Sequence, residues 1–312
     1  MKVLKNHKAF TMIEVLFVIV ILGIVGGLAL EAVRQYYNGI YQTGEYTKRV
    51  AEADHILEQI SKYFENGISS SIIRLDENEA TGCYGIPTDS DTDKDYTIAF
   101  VAVDTDGLRG IWNPSLNRLV PTWTSDVSSI GNTLISLDAN FTALDNMRDL
   151  DDVVADRAAI FRSEGIAEGS NECGRFGWDT NGNTNDVYRV ITKVNGDHNL
   201  TLDGMLSVNG NANRAYVLRT AYAFRVKDGN FSMYSNFQPW NNERYSDSTP
   251  HLLGNKVTHF TILYDSSNTT MNSNIGNIYT LKICMEGLDE NLSDSNLAKN
   301  QICRERMVHV RY

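Results

Sequence analysis

Apolar residues run almost unbroken over 10–30, about the 20 residues that a helix rising roughly 1.5 Å per residue needs to cross a hydrocarbon layer. The pattern then changes period. Val33, Tyr37, Ile40, Gly44, Val50, Leu57, Ile60 and Phe64 recur mostly at three- and four-residue steps, which predicts that the helix continues with one apolar stripe. Glu45–Arg49, Lys48–Glu52 and Glu58–Lys62 pair opposite charges at i,i+4 on the exposed side. Asn66-Gly67 supplies a stop, because both residues tolerate the left-handed conformation that ends helices. The predicted element is about 55 residues and on the order of 80 Å long.

Beyond it the pattern becomes mainly that of strands and turns. The run 96–103 is rich in β-branched and aromatic residues and predicts a strand, and Asp104-Thr105-Asp106-Gly107 a turn. Pro114, Pro121 and Trp123 among serines and asparagines make 112–132 read as loop. Helical spacing returns over 143–162 through Leu144, Met147, Leu150, Val153, Val154, Ala158 and Phe161. Strands are predicted at 187–194, 200–208, 215–226, 231–237, 257–264, 278–285 and 303–310, with a hairpin turn at Lys227-Asp228-Gly229-Asn230. A long helix, a connecting region and then antiparallel strands give an α+β class.

One residue interrupts the first apolar run. Glu14 is a carboxylate where an ionised group costs roughly 2.5–3.5 kcal/mol on insertion scales, so it calls for a partner. A secretory signal peptide would have a shorter apolar core and a small-residue cleavage site after it; a signal anchor holding a soluble domain is the other plain reading. Lys2, Lys5 and Lys8 precede the run and predict a cytoplasmic N-terminus, with the chain after Leu30 exported. The formal charge of −11 disfavours nucleic acid as a partner. All four cysteines lie in the exported part, where an oxidising compartment favours disulfides and three connectivities are possible. Cys284 and Cys303 lie in two runs able to pair as antiparallel strands, which makes them the first candidates, and Cys83 with Cys173 follows by elimination. Free buried thiols are the alternative.

The leader Lys2, Lys5 and Lys8, then Ala9 and Phe10-Thr11-Met12-Ile13-Glu14-Val15-Leu16 resemble the N-terminus of the type IV pilins, a family that includes the type II secretion pseudopilins. The resemblance covers about the first 30 residues. It implies a type IV pilin-like fold: leader 1–9, membrane-spanning half-helix 10–30, exported amphipathic half 31–67 and α+β domain 68–312. It also implies cleavage between Ala9 and Phe10 by a prepilin peptidase, N-methylation of Phe10, and assembly through Glu14 paired with a Phe10 ammonium. The implied partners are sibling pilins or pseudopilins, the inner-membrane assembly platform and membrane lipid. The implied setting is the bacterial inner membrane, and then a pilus or pseudopilus. Ala9 stands where the family usually has Gly, and Glu31 where many major subunits have a kinking proline. Together with the length, this resembles a minor subunit.

Two oxygen-rich runs are candidate calcium sites: Asp89, Asp91, Asp93 and Asp95, and Asp179, Asn181 and Asn183. Neither completes an EF-hand pattern, and solvated turns are the competing reading. No other cofactor is expected. Nucleophile-elbow, zinc-protease, P-loop and dinucleotide motifs are absent, so a structural subunit is expected rather than an enzyme. The alternatives are a pilus-tip adhesin and a signal-anchored periplasmic enzyme. The aromatic loop 236–245 motivates the first, either as a binding surface or as a loop anchored in the core.

Overall fold

The computed structural model describes residues 11–76, 83–86, 96–148, 159–162, 173, 176–178, 187–205, 214–264, 277–287 and 301–312. It is α+β. Helix α1 (Met12–Phe64) runs for 53 residues and ends on Glu65, whose N–H is bonded to Ser61 O at 2.9 Å. Only its C-terminal part is covered: Arg49, Ala53, Ile56, Leu57, Ile60, Ser61 and Phe64 are buried, and the apolar N-terminal stretch is bare.

The larger of the two sheets that α1 meets is organised by strand β11. In chain order the first strands are β1 (Ile73–Leu75), β2 (Cys83–Tyr84) and β3 (Thr97–Val103). Helix α2 (Thr105–Arg109) follows, then a hairpin of β4 (Ile111–Asn113) and β5 (Arg118–Val120). A second hairpin, β6 (Ser128–Ile130) and β7 (Thr133–Ile135), precedes helix α3 (Phe141–Arg148). After β8 (Ala159–Arg162), β9 (Tyr188–Val194) and β10 (Asn199–Leu202) comes β11 (Ala215–Lys227), 13 residues long. It pairs with β3 along one edge; along the other it takes first β8 and then β12 (Asn230–Phe237), which carries β13 (His251–Asn255). The path β2-β1-β3-β11-β8-β9-β10-β7-β6 makes this an eleven-stranded sheet among the described residues. A separate three-stranded sheet joins β14 (Val257–Tyr264), β15 (Asn277–Met285) and β16 (Ile302–Val310).

Strand alternation sorts the core into two. Every residue of β3 is buried, which is why its sequence is a continuous apolar run rather than an alternating one. Ile98, Phe100 and Ala102 face α1, Phe224, Phe231 and the three-stranded sheet. Ala99, Val101 and Val103 face the second core around Trp123, Phe141, Leu144, Phe176 and Leu218. Phe64 is the last residue of α1 and packs at 4.3 Å from the Phe100 ring centroid and 5.6 Å from that of Phe224. The turn between β11 and β12 places Asp228 and Gly229 at φ 52° and 75°, the left-handed pair of a two-residue hairpin.

Three expectations are corrected. Of the helical pattern over 143–162, the part up to Arg148 belongs to helix α3, but Ala159–Arg162 is a strand. Its backbone pairs with Ala215–Leu218 of β11, a non-local demand that local periodicity does not register. The turn at 104–107 opens α2, and the loop-like stretch 112–132 holds the β4–β5 hairpin and β6.

The packing of Phe64 yields a measurable consequence. Phe64→Ala should destabilise the domain by about 3–5 kcal/mol, the range for buried aromatic truncation, read as a lower denaturant midpoint in detergent micelles. An unchanged midpoint would mean that α1 does not contribute to the core.

Candidate functional site

The first turn of α1 builds a reciprocal cap. Thr11 is extended (φ −75°, ψ 148°), and its hydroxyl oxygen accepts the Glu14 N–H at 3.4 Å. The Glu14 carboxylate reaches back and accepts both the Thr11 N–H and the Thr11 hydroxyl proton, each at 3.0 Å. This is a capping box, in which a carboxylate satisfies a backbone donor that the helix leaves open. The charge also sits at the positive end of the helix dipole. The predicted anomaly therefore has an intramolecular partner in this chain, and the Thr-x-x-Glu spacing that signals it is visible in the sequence.

Above the cap the helix is uncovered. Met12, Ile13, Val15, Leu16, Phe17, Val18, Ile19, Val20, Ile21, Leu22, Ile24, Val25, Leu28 and Leu30 are all exposed. Among the described residues this is the one helix long and apolar enough to cross a membrane. A Cβ added at Gly23, Gly26 or Gly27 would meet nothing within 4 Å, so nothing among the described residues uses their smallness; small residues of this kind allow helices to approach closely in membranes. Beyond the apolar stretch, Val33, Tyr36, Tyr37, Ile40 and Tyr41 are exposed as well.

The other candidate residues are spread over the molecule. Ala9 and Phe10 lie outside the described residues, as do Asp89, Asp91, Asp93, Asp95, Asp179, Asn181 and Asn183. Among the described residues no group of three or more His, Cys, Asp or Glu is placed to hold a metal ion. Cys83 is bonded to Cys173 across 90 residues, and Cys284 to Cys303 across 19. Cys284 and Cys303 are directly opposed in β15 and β16. The aromatic loop is tied into the core: Phe237, Pro239, Trp240 and Tyr245 are buried. Trp178 packs edge-on to Phe237 at 6.2 Å, and Tyr234 meets Tyr245 at 5.0 Å. The Glu243 carboxylate closes the loop by accepting the Gln238 N–H at 2.7 Å.

Residues 4–30 match the family model described as the prokaryotic N-terminal methylation motif, the signature of type IV pilins and pseudopilins. The matched segment contains Ala9, Phe10, the Thr11–Glu14 cap and the bare apolar turns. No curated protein and no solved structure gives a significant match to the chain.

The cap predicts local behaviour of the helix start. Thr11→Val removes the hydroxyl and should weaken the first turn by about 1 kcal/mol, speeding amide exchange at Ile13 and Glu14 about fivefold in micelles. Unaltered exchange would show that the Thr11 hydroxyl does not hold the turn.

Proposed function

We propose that this chain is a minor pilin or pseudopilin, a structural subunit that performs no chemistry of its own and is built into a type IV pilus or a type II secretion pseudopilus. The observation that carries this reading is the methylation motif at 4–30 lying on a helix whose apolar half has no cover in its own chain. A prepilin peptidase hydrolyses the Ala9–Phe10 bond on the cytoplasmic face, and the new amino group of Phe10 is methylated. Residues 1–9 then leave as the leader. The half-helix 10–30 holds the subunit in the inner membrane until the assembly platform passes it to sibling subunits. The exported half 31–67 carries the domain 68–312.

Glu14 gives the step its register. Its carboxylate is held by two Thr11 donors within its own helix, which lowers the cost of placing it in lipid. In the assembled fibre the stronger, charged donor is a Phe10 ammonium, its own or a neighbour's. A pair between opposite charges in a low-dielectric setting costs several kcal/mol to break from one side, so a subunit out of register is rejected. The −11 charge keeps the domain surface off nucleic acid. The aromatic loop behind an adhesin reading packs inward and gives that reading no support.

Glu14→Val tests the pairing. The variant should still insert in the membrane, since it only becomes more apolar, and should appear in fibres at a small fraction of the wild-type level when sheared fibres and membranes are blotted in parallel. Equal incorporation would contradict the role given to Glu14.

A further inference from the structure

Of the four tryptophans, Trp123, Trp178 and Trp240 are buried, whereas Trp112 is 57 % exposed. Trp112 lies directly opposite Leu119 on the hairpin of β4 and β5. Leu116 lies in the connecting turn, and Leu116 and Leu119 are exposed too. The hairpin is a two-stranded sheet of its own, joined to neither larger sheet. Its shape is fixed by local bonds. The Asn113 side-chain oxygen accepts the N–H groups of Ser115 and Leu116 at 2.9 and 3.1 Å, and Asn117 takes φ 49°. At the base Gly110 (φ 87°) lies so close to the Val120 carbonyl that no side chain fits there. Three apolar side chains are thus held out on a stiff knob instead of folding inward.

The hairpin itself carries Arg118 and no Asp or Glu, with Arg109 just before it, in a chain of net −11. Arg109 and Arg118 are both exposed. The exposed Asp106 and Asp126 lie on either side of this stretch, and Asp106 is paired with Arg219. The knob also has a direction. Val103 N–H bonds Asn66 O at 3.0 Å just past the end of α1, and α2 and the hairpin follow at once. The root of the knob therefore lies at the end of the sheet where α1 terminates, far along the helix from its apolar first half.

We propose that the hairpin 111–120 is a docking knob for an anionic lipid surface other than the bilayer that holds α1. Trp and Leu side chains enter the boundary between headgroups and acyl chains without needing a shaped pocket. Arg109 and Arg118 meet the anionic headgroups, each worth about 1 kcal/mol near such a surface. The acidic remainder of the domain is repelled, so contact is confined to the knob and the domain docks end-on.

The test uses the full chain, with α1 held in nanodiscs of phosphatidylcholine, mixed with separate vesicles that float on a density gradient. Vesicles containing phosphatidylglycerol should carry the nanodiscs upward, and brominated lipid in those vesicles should quench the exposed Trp112. The double change Trp112→Ser with Leu119→Ser should abolish both, and Arg118→Ser should lower capture about fivefold. All three are surface positions, and unchanged far-UV circular dichroism checks the fold. No capture, equal capture by vesicles of phosphatidylcholine alone, or capture that survives the double change would each overturn the proposal. Nanodiscs that associate with one another without vesicles, and lose this in the double variant, would assign the knob to a second copy of the chain and overturn it equally.

Discussion

The apolar side chains of α1 between Met12 and Leu30 have no cover within the described chain, and an Ile, Leu, Val or Phe side chain left in water forgoes about 1.5–3 kcal/mol of burial. An apolar surface of that size left in water marks a site of contact with lipid or with other protein. The segment therefore fits a setting in a membrane or among other helices. The remaining features agree with that setting. The one carboxylate in the segment has its own donors in Thr11. The glycines leave room that nothing among the described residues fills. The folded domain grips only the later turns of the helix, from Arg49 to Phe64, and leaves the earlier ones free.

That grip comes from both sheets and from the chain's end. Phe64 wedges between Phe100 and Phe224, while Val257, Phe260, Leu281, Ile283 and Val308 close the same core from the three-stranded sheet. Strand β16 is tied to the helix by a two-pronged pair, Arg304 with Asp54 at 2.8 and 3.1 Å, and just past the ends of both elements Arg311 pairs with Glu65 at 3.6 Å. The hydrogen bonds that Arg304 donates to the Asp54 carboxylate push the Arg304 pKa above its already high ordinary value, so the guanidinium stays charged. Exposed pairs of this kind orient more than they stabilise. The two disulfides fasten what the sheets bring together: Cys284 to Cys303 across adjacent strands, and Cys83 at the sheet edge to Cys173 far along the chain.

How much of this was legible in the sequence differs from element to element. The extent of α1 was, because a change from continuous apolar residues to a three-four stripe is a local signal, and so were the long strands from 187 onward. The strand Ala159–Arg162 was not, because its identity comes from pairing with β11 more than fifty residues away. The β4–β5 hairpin was hidden by its short strands, by Pro114 in its turn and by Pro121 just past its end. The aromatic loop could be read as surface or core until Trp178 and Tyr234 were seen packed on it. At the helix start the unusual residue, Glu14, was evident from its cost in lipid. Its intrachain partner, Thr11, is written in the Thr-x-x-Glu spacing of a capping box.

The central claim is that the bare helix belongs to a processed subunit that leaves the membrane for a fibre. Peptide mass spectrometry on sheared surface fibres and on membranes of the native cells tests it most directly. A peptide beginning at methylated Phe10 is expected, in sheared fibres for a pilus or in the membrane fraction for a secretion pseudopilus. An intact Met1–Ala9 leader on the chain in both fractions would contradict the account.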